Sequence, residues 1–291
     1  MDTPLARELA DLSARRRLLE EVHVEFTGAT RVLTVSNQKG GVGKTTSAVN
    51  VASALAGLGA RVLVIDLDPQ GNASTALGVP HNADTPSVYD VLIDEVPLAD
   101  IVQQSPENEN LLCAPSTIHL AGAEIELVAQ VAREHRLRRA LDGYIADNPV
   151  DFVIIDCPPS LGLLTINAFT AAQEVFIPIQ CEYYALEGLS QLLGSIQMIQ
   201  KHLNPELHLS TILLTMFDGR TRLAQQVAEE VRTHFPKQVL DTVIPRSVRV
   251  SEAPSFGQTV IAYDGQSAGA IAYREAAVEI ASRPATQSKE K

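Results

Sequence analysis

Short apolar runs alternate with longer amphipathic stretches along most of the chain. The runs predict six strands, at Val32–Val35, Val62–Ile65, Phe152–Ile155, Val175–Ile179, Thr211–Thr215 and Val243–Ile244. The stretches between and after them predict helices over Thr45–Leu58, residues 121–147, Leu163–Ala172, Leu186–His202, Arg222–Phe235 and Ala268–Ser282. Strands that are apolar on both faces and alternate with helices are typical of parallel sheets covered on both sides. The predicted fold class is therefore α/β, with a mostly parallel, doubly wound sheet.

The two ends of the chain fall outside this alternation. Residues 1–29 carry charges of both signs, including three consecutive arginines from Arg15 to Arg17, and predict an N-terminal extension that is partly helical or disordered. A solvated helix and a partner-binding arm both remain open for it. Residues 284–291 are polar without periodicity and predict a disordered tail. One domain over residues 30–283 is predicted between these ends.

A glycine-rich loop joins the first predicted strand to the first helix of the alternating region. Such a turn directs unpaired backbone N–H groups at one place, where the helix dipole also favours negative charge. Residues 43–45 match the end of the phosphate-loop pattern, but Gln38 stands where its first glycine belongs, and Lys39 is an additional lysine. The loop is therefore a variant that predicts polyphosphate binding through Lys39, Gly40, Gly41, Val42, Gly43, Lys44, Thr45 and Thr46.

Three carboxylates follow predicted strands. Ligands of parallel sheets bind beyond the carboxyl ends of the strands, where Asp66, Asp68 and Asp156 are expected. Asp156 has the position and chemistry of a Walker B aspartate that holds Mg²⁺ through water, and the Thr45 hydroxyl is a second magnesium ligand. We assign Asp66 to the outer part of the same metal site. Asp68 is the candidate for positioning the attacking water.

Composition narrows the class of protein further. A chain of 291 residues that is 45% hydrophobic can bury a full core. Its three cysteines are far apart and form no CxxC pair, which favours a reduced, cytoplasmic setting. No uncharged apolar run approaches ~20 residues, so we expect a soluble protein without a signal peptide or membrane span. The net charge of −12 argues against a basic coat, so any nucleic-acid contact must be a local patch.

Three motifs together resemble the deviant Walker A, A′ and B motifs of the ParA and MinD group of ATPases. They lie at residues 39–46, 66–72 and 156–159, and longer stretches at 178–188, 214–220 and 244–254 are similar to chromosomal, Soj-like ParA. The resemblance runs from about residue 31 to about residue 282. It implies a P-loop NTPase that hydrolyses ATP slowly with Mg²⁺, partitions chromosomes or plasmids, and is stimulated by a ParB-type centromere-binding protein.

The same resemblance implies a homodimer that sandwiches ATP. Lys39 of each protomer would reach the phosphates of the partner's ATP, where negative charge builds during phosphoryl transfer. Lys39, Lys44 and Asp68 would then be the catalytic residues. The resemblance also places four residues beside the adenine: Met216, Asp218, Pro245 and Arg246.

The resemblance further implies that the ATP-bound dimer binds double-stranded DNA without sequence preference and is associated with the nucleoid. Arg220 and Arg249 match the family's DNA-contacting arginines, and Arg222 and Arg246 are their neighbours. Residues 216–250 contain six basic and four acidic side chains, against the acidic balance of the whole chain. One segment departs from the family pattern. Gly265 replaces a usual proline and Ala268 a frequent arginine, which predicts a looser loop and weaker DNA binding.

Other functions fit the sequence less well. The alternative is a ParA-like paralogue that positions another cargo, such as a cell-division or membrane site in the manner of MinD. Residues 283–291 have no apolar face to insert into a bilayer, so no stable membrane anchor is expected. An iron–sulfur carrier needs clustered thiolates, whereas Cys113, Cys157 and Cys181 are widely spaced. The sequence leaves open whether the cargo is the chromosome or another assembly.

Overall fold

A computed structural model describes residues 4–26 and 28–284. Its strands, in chain order, are β1 (Arg31–Val35), β2 (Val62–Asp66), β3 (Gln103–Gln104), β4 (Leu111–Ala114), β5 (Phe152–Asp156), β6 (Glu174–Gln180), β7 (His208–Phe217) and β8 (Val239–Pro245). They form an eight-stranded sheet in the order β3-β4-β2-β5-β1-β6-β7-β8. All neighbours are parallel except β3 and β4. The predicted mostly parallel sheet is confirmed.

Twelve α-helices of the described residues surround this sheet. They are α1 (Pro4–Glu20), α2 (Lys44–Gly57), α3 (Asn72–Ala76), α4 (Val88–Ile93), α5 (Leu120–Glu126), α6 (Arg136–Asp147), α7 (Leu163–Ala171), α8 (Ala185–His202), α9 (Arg222–His234), α10 (Val248–Glu252), α11 (Val260–Tyr263) and α12 (Ala268–Ser282). Helices α4–α9 pack into one apolar cluster, and α2, α3 and α12 pack into another. Neighbouring strand residues such as Val32 and Leu33 enter opposite clusters, so helices cover both faces of the sheet. None of the described helices has the length and apolar character needed to cross a membrane.

The continuous helix predicted over residues 121–147 is wrong, because α5 and α6 are separate. Ala132, between them, has a left-handed backbone with φ of +48°. The side chain of Asn167, on α7, donates to the Arg133 carbonyl at 2.8 Å and accepts from the Leu137 amide at 3.2 Å. These contacts satisfy backbone groups that the break leaves exposed, and they stabilise the interruption from a neighbouring helix.

The sequence pattern also missed two strands and four short helices. β3 and β4 have two and four residues, and α3, α4, α10 and α11 have four to six. Segments of this length carry too few periods of an apolar pattern to stand out from loops.

The N-terminal segment is a helix that docks on the main body of the protein. In α1, Arg15 donates to both carboxylate oxygens of Glu275 on α12, at 2.8 and 2.5 Å. After the helix, the Phe26 ring packs edge-on against Phe152, with ring centroids 5.9 Å apart. The tail predicted at residues 284–291 lies, from residue 285 onward, outside the described residues. The boundaries of the predicted domain stay a prediction.

The middle of the sheet fixes the position of the site. β5 lies between β1 and β2, and the register places Asp156 beside Val35 on one side and Asp66 on the other. The carboxyl ends of these three strands therefore lie at one edge of the sheet. The loops that follow them carry the candidate residues.

Candidate functional site

The loop between β1 and α2 turns at two glycines and is hydrogen-bonded to β7. Gly41 and Gly43 have φ of +74° and +88°, which favours glycine over other residues. Val42 between them is buried, and its carbonyl accepts a hydrogen bond from the Thr215 hydroxyl at 2.8 Å. α2 begins at Lys44, directly after the loop. The first-turn backbone N–H groups of α2 therefore follow the glycines directly, an arrangement that suits an anion.

Lys44 lies within its own loop. The residue is 8% exposed, and its Nζ donates to the carbonyl of Lys39 at 3.3 Å. Burial lowers the pKa of Lys44, and the negative charges of Asp156 and Asp68 partly oppose this shift. A buried ammonium that contacts a single carbonyl is suited to an anion such as a phosphate.

Lys39 is in a different environment, although it belongs to the same loop. Its side chain is 42% exposed, and its Nζ donates to a carboxylate oxygen of Glu182 at 2.5 Å. Glu182 follows β6 and is 47% exposed. This ion pair was missed by sequence reasoning, since the two residues are 143 positions apart. Within one protomer, the Lys39 side chain therefore points away from the phosphate loop, whereas the Lys44 side chain lies inside it.

Asp156, a magnesium candidate, is a fully buried carboxylate that is incompletely paired. Its Oδ2 accepts a hydrogen bond from the Thr45 hydroxyl at 2.6 Å, while its buried Oδ1 has no partner among the described residues. Burial raises the pKa of Asp156 well above its usual range, and the charge of Asp66 adds to the effect. A carboxylate oxygen without a donor, beside a threonine hydroxyl, is the kind of oxygen set that Mg²⁺ prefers. The residues present fit this ion.

Asp66 is also fully buried, but its oxygens are used within the chain. One oxygen accepts from the Ser74 amide and hydroxyl at 2.8 and 2.7 Å, and the other from the Asp68 amide at 3.2 Å. Burial raises the pKa of Asp66 to about 6. Asp66 therefore holds the segment after β2 in place and acts on its neighbour Asp156 through its charge. Ser74 was missed, because no motif distinguishes it from a helix-cap serine.

Asp68 lies two residues further along the chain and is nearly buried. It is 9% exposed, and its Oδ1 accepts from the Gln70 amide at 3.0 Å. Burial lowers the pKa of Lys44, and the negative charge of Asp68 opposes part of this shift. The charge of Asp68 thus acts on the lysine of the phosphate loop, and its role in positioning water stays a prediction.

Met216 is the adenine candidate that the structure brings to the loop. Its backbone has a φ of +49°, which is uncommon for a residue with a side chain. A Cβ atom added to Gly43 would lie 3.8 Å from the terminal methyl of Met216. Met216 therefore packs beside the glycine that precedes α2.

The other adenine candidates lie at the carboxyl ends of β7 and β8. Phe217 and Pro245 are paired in register, and Arg246 follows Pro245. The Asp218 carboxylate accepts two hydrogen bonds from Arg220, both at 2.9 Å, and this contact lowers its pKa to about 2. In this conformation the Asp218 carboxylate is paired with Arg220, which is itself a DNA-binding candidate, and is not free to contact an adenine.

The four DNA candidates, Arg220, Arg222, Arg246 and Arg249, are all exposed, and we call them the arginine surface. Arg220 is 91% exposed. Arg249, on α10, lies 3.4 Å from both Glu252 and Asp264. The arginine surface therefore contains its own acidic partners, which DNA phosphates would have to replace.

The sequence predicts a looser loop at Gly265, but in the structure this loop packs closely against the backbone of α11. A Cβ atom at this position would lie 2.8 Å from the Ile261 carbonyl oxygen. Any other residue at this position would force the segment to shift. Glycine therefore allows the backbone to pass close to the Ile261 carbonyl.

The cysteines supply no metal site in the described chain. Cys113, Cys157 and Cys181 are buried and free, and the described residues contain no group of three or more His, Cys, Asp or Glu side chains that could hold a metal. Burial raises the pKa of Cys157 to about 12. These thiols behave as apolar core groups.

Comparison with known proteins agrees with the motifs. A family model described as an AAA domain matches residues 30–209. The chain is 54% identical to the sporulation initiation inhibitor protein Soj of Bacillus subtilis, over 86% of this chain and 98% of that protein. It is 51% identical to the chromosome partitioning protein ParA of Caulobacter vibrioides, over 87% of this chain and 94% of that protein.

A solved structure has the same fold at lower identity. It is cobyrinic acid a,c-diamide synthase from Mycobacterium smegmatis, determined with a bound ATP analogue and magnesium. The TM-score is 0.74 at 41% identity, with 87% of this chain and 94% of that chain covered. The resemblance inferred from the three motifs is confirmed, and the chain belongs to the Soj/ParA family of chromosome-partitioning ATPases.

Proposed function

We propose that this protein is a nucleotide-controlled switch for chromosome partition. ATP would be held by the loop at residues 39–46, with Lys44 at its phosphates and Met216 beside it. Thr45 and Asp156 would hold Mg²⁺, with Asp66, the register neighbour of Asp156 on β2, in the outer part of the metal site. When bound, Mg²⁺ neutralises charge on phosphate oxygens. Asp68, close to Lys44, would orient the attacking water.

The observation that carries the proposal is the different placement of the two loop lysines. Lys44 is buried in its own loop, while Lys39 is exposed and paired with Glu182. A lysine outside its own loop can reach the phosphates of a second copy when two such faces meet. Because charge on phosphoryl oxygens grows toward the transition state, this lysine would accelerate hydrolysis only in the dimer. Hydrolysis would thus depend on assembly.

The arginine surface would bind the phosphate backbone of double-stranded DNA. Its arginines are exposed, and their acidic partners are partly exposed as well, so the ion pairs are weak and replaceable. Dimerisation would double the number of arginines that reach one duplex and would tie DNA affinity to ATP. A ParB-type partner would stimulate hydrolysis and release the protein from the nucleoid.

The test is co-sedimentation of the full chain with non-specific DNA in ATP, in ADP and without nucleotide. We expect pelleting with ATP and little in the other two conditions, with affinity that falls steeply as salt rises. DNA binding that is equal in all three conditions would refute the switch. Repeating the ATP condition with purified ParB from the same genome should shorten the bound lifetime, and no effect would favour another cargo.

A further inference from the structure

A cavity lies between α6 and the segment that follows α4. Its volume is about 410 Å³, which is within the range of roughly 300–1,000 Å³ common for small-molecule sites. Val91, Leu98 and Ala140 supply apolar wall. None of the residues assigned above to the nucleotide site or the arginine surface lines it.

A nearly buried guanidinium group borders this cavity. Arg136 is 8% exposed, and its Nη1 donates to the carbonyls of Leu92 and Ile93 at 2.7 and 3.0 Å. Its Nη2 donates to the Gln130 side chain at 2.9 Å. Its buried Nε has no acceptor among the described residues. Buried donors without acceptors are uncommon, so this arginine retains capacity for a further acceptor.

A single exposed carboxylate serves both this arginine and a second one. An oxygen of Glu95 lies 3.0 Å from Nη2 of Arg136 and 3.8 Å from Nη2 of Arg139. Glu95 is 61% exposed and has a left-handed backbone with φ of +57°. Exposure weakens its ion pairs, and its backbone conformation is unfavourable for glutamate. Glu95 is therefore an acid that another carboxylate can displace.

We propose that this cavity binds a small carboxylate with an apolar body. The ligand carboxylate would replace Glu95 between Arg136 and Arg139, where planar guanidinium groups suit bidentate contacts. The apolar body would pack against Val91 and Leu98. Asp147, which also lines the cavity and is exposed, disfavours a ligand with a second negative charge. This site is independent of the proposed function.

The proposal is tested by titrating the full chain with hexanoate, with hexanamide as the neutral control, and following arginine side-chain N–H signals by NMR. Hexanoate should give saturable shifts that include the Nε–H of Arg136, and hexanamide should not. Glu95→Asn removes the competing carboxylate and suits a left-handed backbone, so it should tighten binding about fivefold or more.

The matched pair of variants lies on α6. Arg139→Gln should weaken hexanoate binding about fivefold or more, because it removes one of the two guanidinium groups. Arg138→Gln, at the preceding position, removes a partly exposed arginine paired with Asp142 and should leave binding unchanged. No saturable binding, equal binding of the two probes, or equal behaviour of the two variants would overturn the proposal. So would an unchanged affinity in Glu95→Asn.

Discussion

The nucleotide end of the sheet and the arginine surface use similar side chains in opposite environments. Asp156 is fully buried, and burial raises its pKa well above the usual range. Asp218 is far more accessible, and hydrogen bonds from Arg220 lower its pKa to about 2. A buried carboxylate beside another acid resists ionisation, whereas an exposed one beside an arginine ionises readily. At the nucleotide end, a bound cation would stabilise the charged form of Asp156. On the arginine surface, Arg220 already neutralises Asp218.

This difference indicates where substitutions should have large effects. Each buried polar group at the nucleotide end has few possible partners. Substituting one of these groups should therefore change ATP hydrolysis strongly. The arginine surface consists of screened ion pairs, each of which contributes roughly 0–1 kcal/mol to folding stability. Changes there should alter binding while leaving stability nearly constant.

The largest expected effect is on hydrolysis in Asp156→Asn. Removing the carboxylate from the magnesium site should lower the ATPase rate by about 100-fold or more. The nucleotide-free variant should unfold at an equal or higher temperature, because asparagine keeps an oxygen that can accept from the Thr45 hydroxyl and removes a carboxyl whose charged form burial disfavours. Paired ATPase and calorimetric measurements check both results. A variant that unfolds much earlier would mean that Asp156 is structural.

The stability of the nucleotide-free protein should depend on pH through Asp66. Its pKa is about 6 in the folded chain and 3.8 ordinarily, so between these values the folded chain holds a proton that the unfolded chain has released. The contribution of this group to unfolding free energy should therefore fall as pH rises from about 4 to 6, by about 3 kcal/mol.

Urea unfolding at several pH values checks this expectation, with Asp66→Asn as the reference. The asparagine keeps an acceptor oxygen for Ser74 but cannot titrate. The difference between the two proteins should change across this window, and parallel pH profiles would show that Asp66 does not titrate there.

Arg249→Ala should abolish most DNA binding while ATP binding stays intact. DNA affinity should fall at least about tenfold at low salt, and the log–log salt slope should shrink by about 0.9 for each phosphate that the variant no longer neutralises. The control is Arg61→Ala, an exposed arginine directly before β2 and therefore at the opposite end of the strands. If both variants bind DNA as wild type does, the arginine surface has no role.

The smallest effect on ATP hydrolysis is expected for Glu182→Gln, which removes the ion pair between Glu182 and Lys39. Both partners are more than 40% exposed, so stability should change by less than about 1 kcal/mol. A freed Lys39 should raise the basal ATPase rate a few-fold, about threefold at most, without partner protein. A lower rate would indicate that Glu182 itself takes part in the active dimer.

The strands and the phosphate loop were predictable because their signals are local. An apolar run ending in aspartate, or glycines before Lys44, can be recognised without knowing what packs nearby. The break before α6 was not predictable, since Asn167 acts from another helix. The same holds for Glu182, whose contact with Lys39 depends on the order of β1 and β6 in the sheet. Local motifs reveal the chemistry of the site, whereas long-range contacts set which lysine faces outward.

The central claim is that Lys39 completes the active site of a second copy. It is tested by mixing two inactive variants, Lys39→Ala and Asp68→Ala, in equal amounts and measuring ATP turnover. In a mixed dimer, the site with an intact Asp68 receives an intact Lys39 from its partner. We therefore expect recovery of about a quarter of the wild-type rate per protomer, because about half of randomly formed dimers are mixed and each has one working site. A mixture no more active than either variant alone would contradict the claim.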